Sequence, residues 1–210
     1  AQPSDLIDLS GIGSLSNIEV GQVVKVGAMT THAEVATSKE IQKALPALSD
    51  LAEGIGDPQV RNRGTIGGSV ANNDPAADYP AVCLALNATI TTNKREITAD
   101  DFFTGMFDTA LDEGELITSI SFPIPEKAAY MKFPNPASRY ALVGVVGAKM
   151  SSGVRVAVTG AGEDGVFRAS NLEDALNQNF NSESLDNFSI SPDGLLSDIH
   201  AQNDYRASLI

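Results

Sequence analysis

The stretch Arg61 to Pro80, RNRGTIGGSVANNDPAADYP, constrains the rest of the chain more than any other. Its centre, Gly64-Thr65-Ile66-Gly67-Gly68-Ser69, sets three glycines and two hydroxyl side chains between a basic pair, Arg61 and Arg63, and an Asn-Asn-Asp-Pro turn. Such a run predicts neither a good helix nor a good strand, because glycine loses the most backbone freedom on ordering. It does let another group come within contact distance of the main chain. Successive free N–H groups in a loop of this kind form a concave anion site, and Thr65 and Ser69 add hydroxyl donors. The chemistry reads as a loop that wraps a phosphate or pyrophosphate. The competing reading is a tight turn packed against a sheet, and the loop alone leaves both open.

Composition narrows the function classes. At 210 residues and 22.0 kDa the chain has room for one large domain or two small ones, and two are expected. With 27 Asp and Glu against 14 Lys and Arg, the net charge of -13 repels nucleic acid and anionic lipid. The only cysteine, Cys83, lies in the apolar run AVCLAL and reads as a buried structural thiol. His32 and His200 have no partners at metal-ligand spacing, so no metal site is expected. No apolar run reaches the roughly 18 residues of a membrane helix and no signal pattern opens the chain. A cytoplasmic protein is expected. The chain starts without Met and closes on NDYRASLI, the first turns of a helix, which reads as a fragment cut at both ends.

Along the chain, strands are expected at Leu6 to Leu9, Ile18 to Val20 and Val23 to Met29. Thr31 with Glu34 is a capping-box signal, Ser38 caps a further piece, and Pro46 suits the first turn of a helix carrying Leu48, Leu51 and Ala52. Tyr79 to Leu86 reads as a buried helix, followed by strands at Ala88 to Thr92, Glu96 to Thr98 and Glu115 to Phe122. Pro123 to Ala128 is the expected domain boundary. Beyond it, Tyr140 to Met150 and Val154 to Gly160 form a hairpin, Val166 to Ala169 adds a strand, Asn171 or the preceding Ser170 is expected to cap a helix through Ala175 and Leu176, and another short helix is expected near Glu183 to Asn187. Gly160-Ala161-Gly162-Glu163-Asp164-Gly165 satisfies the dinucleotide pattern G-x-G-x-x-G. The β-like Val166-Phe167-Arg168 stands where a helix would have to begin, and two carboxylates sit inside the loop, so this is a hairpin turn.

Several blocks together resemble one family. GAMTTHAEV (Gly27 to Val35), IGDPQVRNRGTIGGSVANNDPAADYPA (Ile55 to Ala81), GELITSISFP (Gly114 to Pro123), KFPNPASRYALVGV (Lys132 to Val145) and DIHAQNDYRASL (Asp198 to Leu209) resemble, in this order, the FAD-binding medium subunit of molybdenum hydroxylases. That group includes carbon monoxide dehydrogenase and xanthine dehydrogenase. The resemblance implies an α+β fold: an FAD-binding domain of the vanillyl-alcohol-oxidase-like type without its N-terminal subdomain over residues 1–125, then a C-terminally incomplete domain of antiparallel sheet with helices over 126–210. It implies an FAD-dependent oxidoreductase subunit in a hetero-oligomer. Electrons would come from a molybdopterin large subunit through an iron-sulfur small subunit to FAD and then to an external acceptor.

By position, the resemblance assigns Thr65, Ile66, Gly67, Gly68 and Ser69 to the family's second flavin loop. It makes Asp78 an acceptor for sugar or ribityl hydroxyls and adds Leu116 and Lys132 as further FAD contacts. Tyr140 becomes an aromatic neighbour of the isoalloxazine. No catalytic residue of its own is expected. Each carries a plainer alternative: core for Leu116, a surface charge for Lys132, packing for Tyr140, a helix cap for Asp78. The family's first glycine-rich loop, of Ala-Gly-Gly type, has no counterpart here. The whole protein is therefore expected to bind FAD, and this stretch to bind it weakly or not at all. Two other functions compete: a flavin-free assembly subunit of the same complex, and a self-contained FAD oxidoreductase.

Overall fold

The computed structural model describes residues 3–186 and 188–210. The first half opens with a hairpin, β1 (Ile18–Val20) and β2 (Val23–Gly27), and continues through six helical segments. These are α1 (His32–Thr37), α2 (Lys39–Ala44), α3 (Pro46–Glu53), α4 (Pro58–Arg61), α5 (Ile66–Asn72) and α6 (Tyr79–Ala85). The chain returns through β3 (Thr89–Thr92), β4 (Glu96–Thr98), α7 (Ala99–Phe102), the small hairpin β5 (Phe103–Gly105) and β6 (Asp108–Thr109), and β7 (Ile117–Pro123). The second half holds β8 (Lys127–Pro134), β9 (Ala141–Met150), β10 (Gly153–Thr159), β11 (Phe167–Arg168), α8 (Ser170–Gln178) and α9 (Asn203–Leu209).

Two larger sheets result, ordered β1-β2-β7-β3-β4 and β11-β10-β9-β8. Every strand pairing among the described residues is antiparallel, as the α+β expectation requires. Helix α6 explains how the sheets join. All seven of its residues are buried, so it has no solvent face and must be covered on several sides. It packs on β9 and β10 of the second sheet and on α3 and α5 of the first half. Val146, Ala148 and Ala157 consequently share one core with Leu48, Val82 and Leu86. Fully burying each such Val or Leu contributes about 1.5–3 kcal/mol. The other face of the second sheet, with Val143, Val156 and Val158, forms a separate cluster with Leu172 of α8.

Local signals act where expected. Thr31 and Glu34 form a complete capping box on α1, Ser38 caps α2 and Pro46 opens α3. The Gly160 to Gly165 segment joins β10 to β11 in an antiparallel turn, with Val158 opposite Phe167. Cys83 is buried and unpaired, and burial pushes its thiol well above the ordinary range.

Four expectations are corrected. Leu6 to Leu9 is not a strand: Leu6 and Ile7 stand 89% and 87% exposed, so neither backbone pairing nor burial holds them extended in a sheet. The glycine loop, read as unfit for a helix, runs into α5. There Thr65 accepts from the Gly68 N–H at 3.2 Å as N-cap, and Asn73 closes the helix in the left-handed region at φ 43°. Capping at both ends and packing on β2 and β7 outweigh the low glycine propensity. Helix α8 begins at Ser170 without a side-chain cap from Ser170 or Asn171. The short helix expected near Glu183 to Asn187 is a 3-10 turn over Ser182–Leu185, because the tighter hydrogen bonding suits so short a piece, and Asn187 lies outside the described residues.

Strand β8 had no sequence signal of its own. Its inward residues are Ala128, Tyr130 and Lys132, while Met131 and Phe133 point outward. The usual alternation of apolar inside and polar outside is thus inverted at the positions that matter most for the site.

Candidate functional site

A cleft of about 490 Å³ opens where the start of α5 meets the turn between β8 and β9. Its floor is built by glycine. The Gly67 N–H donates to the Ala28 carbonyl at 2.9 Å, and a Cβ at 67 would lie 2.5 Å from the Ala28 Cβ. Gly67 is what lets α5 lie directly on the first sheet. Gly64 covers the His32 ring in the same way, since its Cβ would lie 2.5 Å from Nε2. Gly68 differs: a Cβ there meets only the Thr65 Oγ1 at 3.0 Å, and the position faces the cleft.

The expected row of free amides is not what the loop presents. The Ile66 N–H donates to Thr30 O, Gly67 to Ala28 O, Gly68 to Thr65 Oγ1 and Ser69 to Thr65 O. Backbone donors that would cradle an anion are spent on seating the helix. The cleft's polar lining comes instead from the hydroxyls of Thr65 and Ser69 and from two guanidinium groups, Arg63 and Arg139.

Sequence reading did not single out Arg139. It lies in a turn closed by Asn135 N–H to Tyr140 O at 2.8 Å and Arg139 N–H to Asn135 O at 2.9 Å, with its own φ at 62°. A non-glycine residue in that region costs about 1–2 kcal/mol, held here by the closed turn. The turn aims Arg139 back across the cleft, where Nη1 stands 3.4 Å from Gly56 O, and leaves Tyr140 53% exposed beside it. Arg61, the other member of the basic pair, is used locally, donating to Ile55 O and Gly56 O at 3.0 and 3.2 Å.

Asp78, Lys132 and Tyr130 form a buried charged cluster at one side of the cleft. The Lys132 Nζ lies 2.9 Å from Asp78 Oδ1 and also donates to Gly54 O at 3.1 Å, while the Tyr130 hydroxyl donates to Asp78 Oδ1. Burial pushes the Asp78 carboxyl up, against the pull of the Lys132 ammonium and the Tyr130 hydrogen bond. Room for Tyr130 comes from Gly144, whose Cβ would lie 2.5 Å from the phenol oxygen. The plainer readings fail here. Asp78 makes no side-chain cap on α6, and the Lys132 side chain is only 9% exposed.

His32 also lines the cleft. Its ring lies 5.3 Å from that of Tyr79, and burial, then the Arg61 charge, lowers its pKa to about 4. Among the sequence candidates, Thr65, Gly68, Ser69, Asp78 and Tyr140 line the cleft, Ile66 and Gly67 lie buried beneath it, and Lys132 reaches it through Asp78. Leu116 does not line it. Half exposed, it holds Asn93 through hydrogen bonds in both directions. Among the described residues there is no cluster of potential metal ligands and no helix long and apolar enough to cross a membrane.

Comparison with known proteins gives this geometry a context. Residues 1–125 match the family described as the FAD binding domain in molybdopterin dehydrogenase. The whole chain is 36% identical to the nicotine 6-hydroxylase medium subunit of Paenarthrobacter nicotinovorans, over 79% of that protein. It is 34% identical to the carbon monoxide dehydrogenase medium chain of Hydrogenophaga pseudoflava, over 88% of this chain and 69% of that one. Among solved structures, the carbon monoxide dehydrogenase of Hydrogenophaga pseudoflava lacking its Mo-pyranopterin moiety superposes with a TM-score of 0.88 at 33% identity, over 100% of this chain and 78% of that one. Quinoline 2-oxidoreductase from Pseudomonas putida 86 gives 0.87 at 30%, over 99% and 78%. By sequence and by fold, the chain belongs to the FAD-binding family of the molybdopterin dehydrogenases.

Proposed function

We propose that this chain is the flavin-bearing medium subunit of a molybdenum hydroxylase, a cytoplasmic hetero-oligomer with an iron-sulfur small subunit and a molybdopterin large subunit. The observation that carries it is the cleft itself: anion donors from Arg63, Arg139, Thr65 and Ser69 at Gly68, with the exposed ring of Tyr140 in the same lining. That donor set fits a pyrophosphate joined to a flat ring system. FAD supplies the redox chemistry when bound, taking electrons from the iron-sulfur partner and giving them to an external acceptor.

In this reading each residue has a stated task. Gly68 lets the pyrophosphate approach the start of α5, where Thr65 and Ser69 donate hydroxyl hydrogen bonds and Arg63 and Arg139 offset its charge. Ile66 and Gly67 hold that surface from below. Asp78 keeps lone pairs for cofactor hydroxyls while its Lys132 partner holds positive charge at the cleft wall. Tyr140 packs against the isoalloxazine, and Leu116 is a contact outside the cleft. The chain divides in function at 125/126, with the flavin loop before the division and Lys132 and Tyr140 after it.

The test is purification of the assembly with its partner chains, release of the cofactor by heat, and assay of acceptor reduction with and without partners. FAD in near-equal amount to this subunit, with turnover only in the assembly, is the expected result. Turnover by this chain alone would favour a self-contained oxidoreductase, and an assembly without flavin would favour a purely structural subunit.

A further inference from the structure

The Tyr130 hydroxyl reaches Asp78 through a gap in the second sheet. Gly144 of β9 stands opposite Lys132 on β8 and opposite Thr159 on β10. Side chains at paired positions share a face, so a Cβ at 144 would project between those two neighbours. It would meet the Tyr130 phenol oxygen at 2.5 Å, the Tyr130 Cε2 at 3.0 Å and the Thr159 Cγ2 at 2.9 Å. Tyr130 occupies the space that glycine leaves. Thr159 holds the backbone that leads into Asp78, its Oγ1 donating to Pro75 O and Ala77 O at 3.1 and 2.6 Å. The second sheet therefore fixes both the side chain and the approach of Asp78, which lines the flavin cleft.

The acceptor sites on Asp78 show what the tyrosine does. A carboxylate oxygen accepts about two hydrogen bonds. Oδ1 receives the Tyr130 hydroxyl and faces the Lys132 ammonium at 2.9 Å. Oδ2 receives only Lys132 among the described side chains, at 3.1 Å. Lys132 also donates to Gly54 O at 3.1 Å, so its hydrogens are divided between the carboxylate and the main chain. Burial, then the Asp78 charge, pushes the Tyr130 phenol far above its ordinary range, and the hydroxyl keeps its hydrogen as a donor.

We propose that Tyr130 is a positioning residue for the cofactor: its hydroxyl, seated over Gly144, saturates Asp78 Oδ1 and leaves Oδ2 to accept a hydroxyl hydrogen from the sugar or ribityl chain. This rests on the FAD reading of the cleft. The task differs from that of Lys132. The lysine supplies charge, whereas the tyrosine determines which oxygen stays open. Burial pushes the Asp78 carboxyl up, and the Lys132 charge, then the Tyr130 hydrogen bond, pull it back. Tyr79 stands beside Asp78 on α6, and the other ionisable groups of the lining are Arg63, Arg139, Asp74, His32 and Tyr140. Removing the Tyr130 hydroxyl raises the pH below which Asp78 takes a proton and loses its place as an acceptor.

The experiment titrates FAD into the deflavinated assembly of the full-length subunit with its partner chains, and reads flavin fluorescence from acid to neutral pH. Tyr130→Phe keeps the ring and removes only the donor. It should weaken FAD binding about tenfold, the scale of a hydrogen bond to a charged group, with the partner chains and the melting transition retained. Its affinity should also begin to fall at a higher pH than that of the unsubstituted assembly, a shift that loss of packing alone would not produce. Gly144→Ala, which pushes the hydroxyl off Asp78, should weaken binding to a similar extent, and the two changes together should add little to either alone. Unchanged FAD affinity in Tyr130→Phe, or a weaker affinity with an unshifted pH profile, overturns the proposal, as does full additivity with Gly144→Ala. Failure of the unsubstituted assembly to bind FAD overturns the cofactor reading and this proposal with it.

Discussion

Lys132 of β8 and Asp78 at the head of α6 form a buried ion pair, 2.9 Å apart, with side chains only 9% and 5% exposed. Removing one partner of such a pair leaves a buried charge without compensation, which costs about 3–5 kcal/mol. Lys132→Ala is therefore expected to destabilise the fold by about that amount in urea unfolding. Adding Asp78→Asn should restore part of it, because the neutral amide needs no counter-charge. A loss below about 1 kcal/mol for the single variant would mean the pair is solvated.

Two adjacent glycines should respond differently. Gly67→Ala pushes a Cβ into Ala28 at 2.5 Å and against its carbonyl oxygen at 2.7 Å, an overpacking expected to cost about 1–3 kcal/mol. Gly68→Ala meets only the Thr65 hydroxyl at 3.0 Å and gains up to about 1 kcal/mol of helix propensity. Its net effect should be near zero. Thermal melts of the two variants check the difference directly.

His32 gives the chain a pH dependence of known sign. Its pKa falls from 6.5 to about 4 in the folded state, first through burial and then through Arg61. Between those values the unfolded chain holds a proton that the folded chain does not, so stability falls as pH drops from 6.5 towards 4. The loss from this group is at most about 3 kcal/mol. His32→Gln should flatten the slope of unfolding free energy over that window. An unchanged slope would place the titration elsewhere.

Glu115 acts at lower pH. It accepts from Arg95 Nε and Nη2, both at 3.1 Å, from Thr92 Oγ1 at 2.6 Å and from the Asp112 N–H at 2.9 Å. With the Arg95 hydrogen bonds as the largest cause, these lower its pKa from 4.5 to about 2. The depressed value means a contribution present above pH 4.5 and lost as pH falls towards 2. Glu115→Gln should make acid unfolding less steep in that range.

What could be read beforehand follows from where the signals are local. Capping residues announce themselves within four positions, so Thr31, Ser38 and Pro46 placed α1, α2 and α3. Alternation placed β7, β-branched residues placed β2, and two β runs joined by Ser151-Ser152-Gly153 placed β9 and β10. Strand β8 escaped because Lys132 points inward to a carboxylate fifty-four positions away, an arrangement no local pattern encodes. The loop glycines were legible as close-approach positions, but not which approach each makes: Gly67 meets Ala28, whereas Gly68 faces the cleft. Arg139 was missed because its placement depends on a left-handed backbone angle that glycine or asparagine would have signalled and arginine does not.

The most direct measurement is the FAD content of the purified assembly carrying Gly68→Val, beside the unsubstituted assembly. A branched side chain at that position enters the cleft without disturbing the α5 contact with Ala28. The expected result is loss of FAD with partner chains and melting temperature retained. FAD bound in undiminished amount to the variant would contradict the placement of the cofactor at the start of α5.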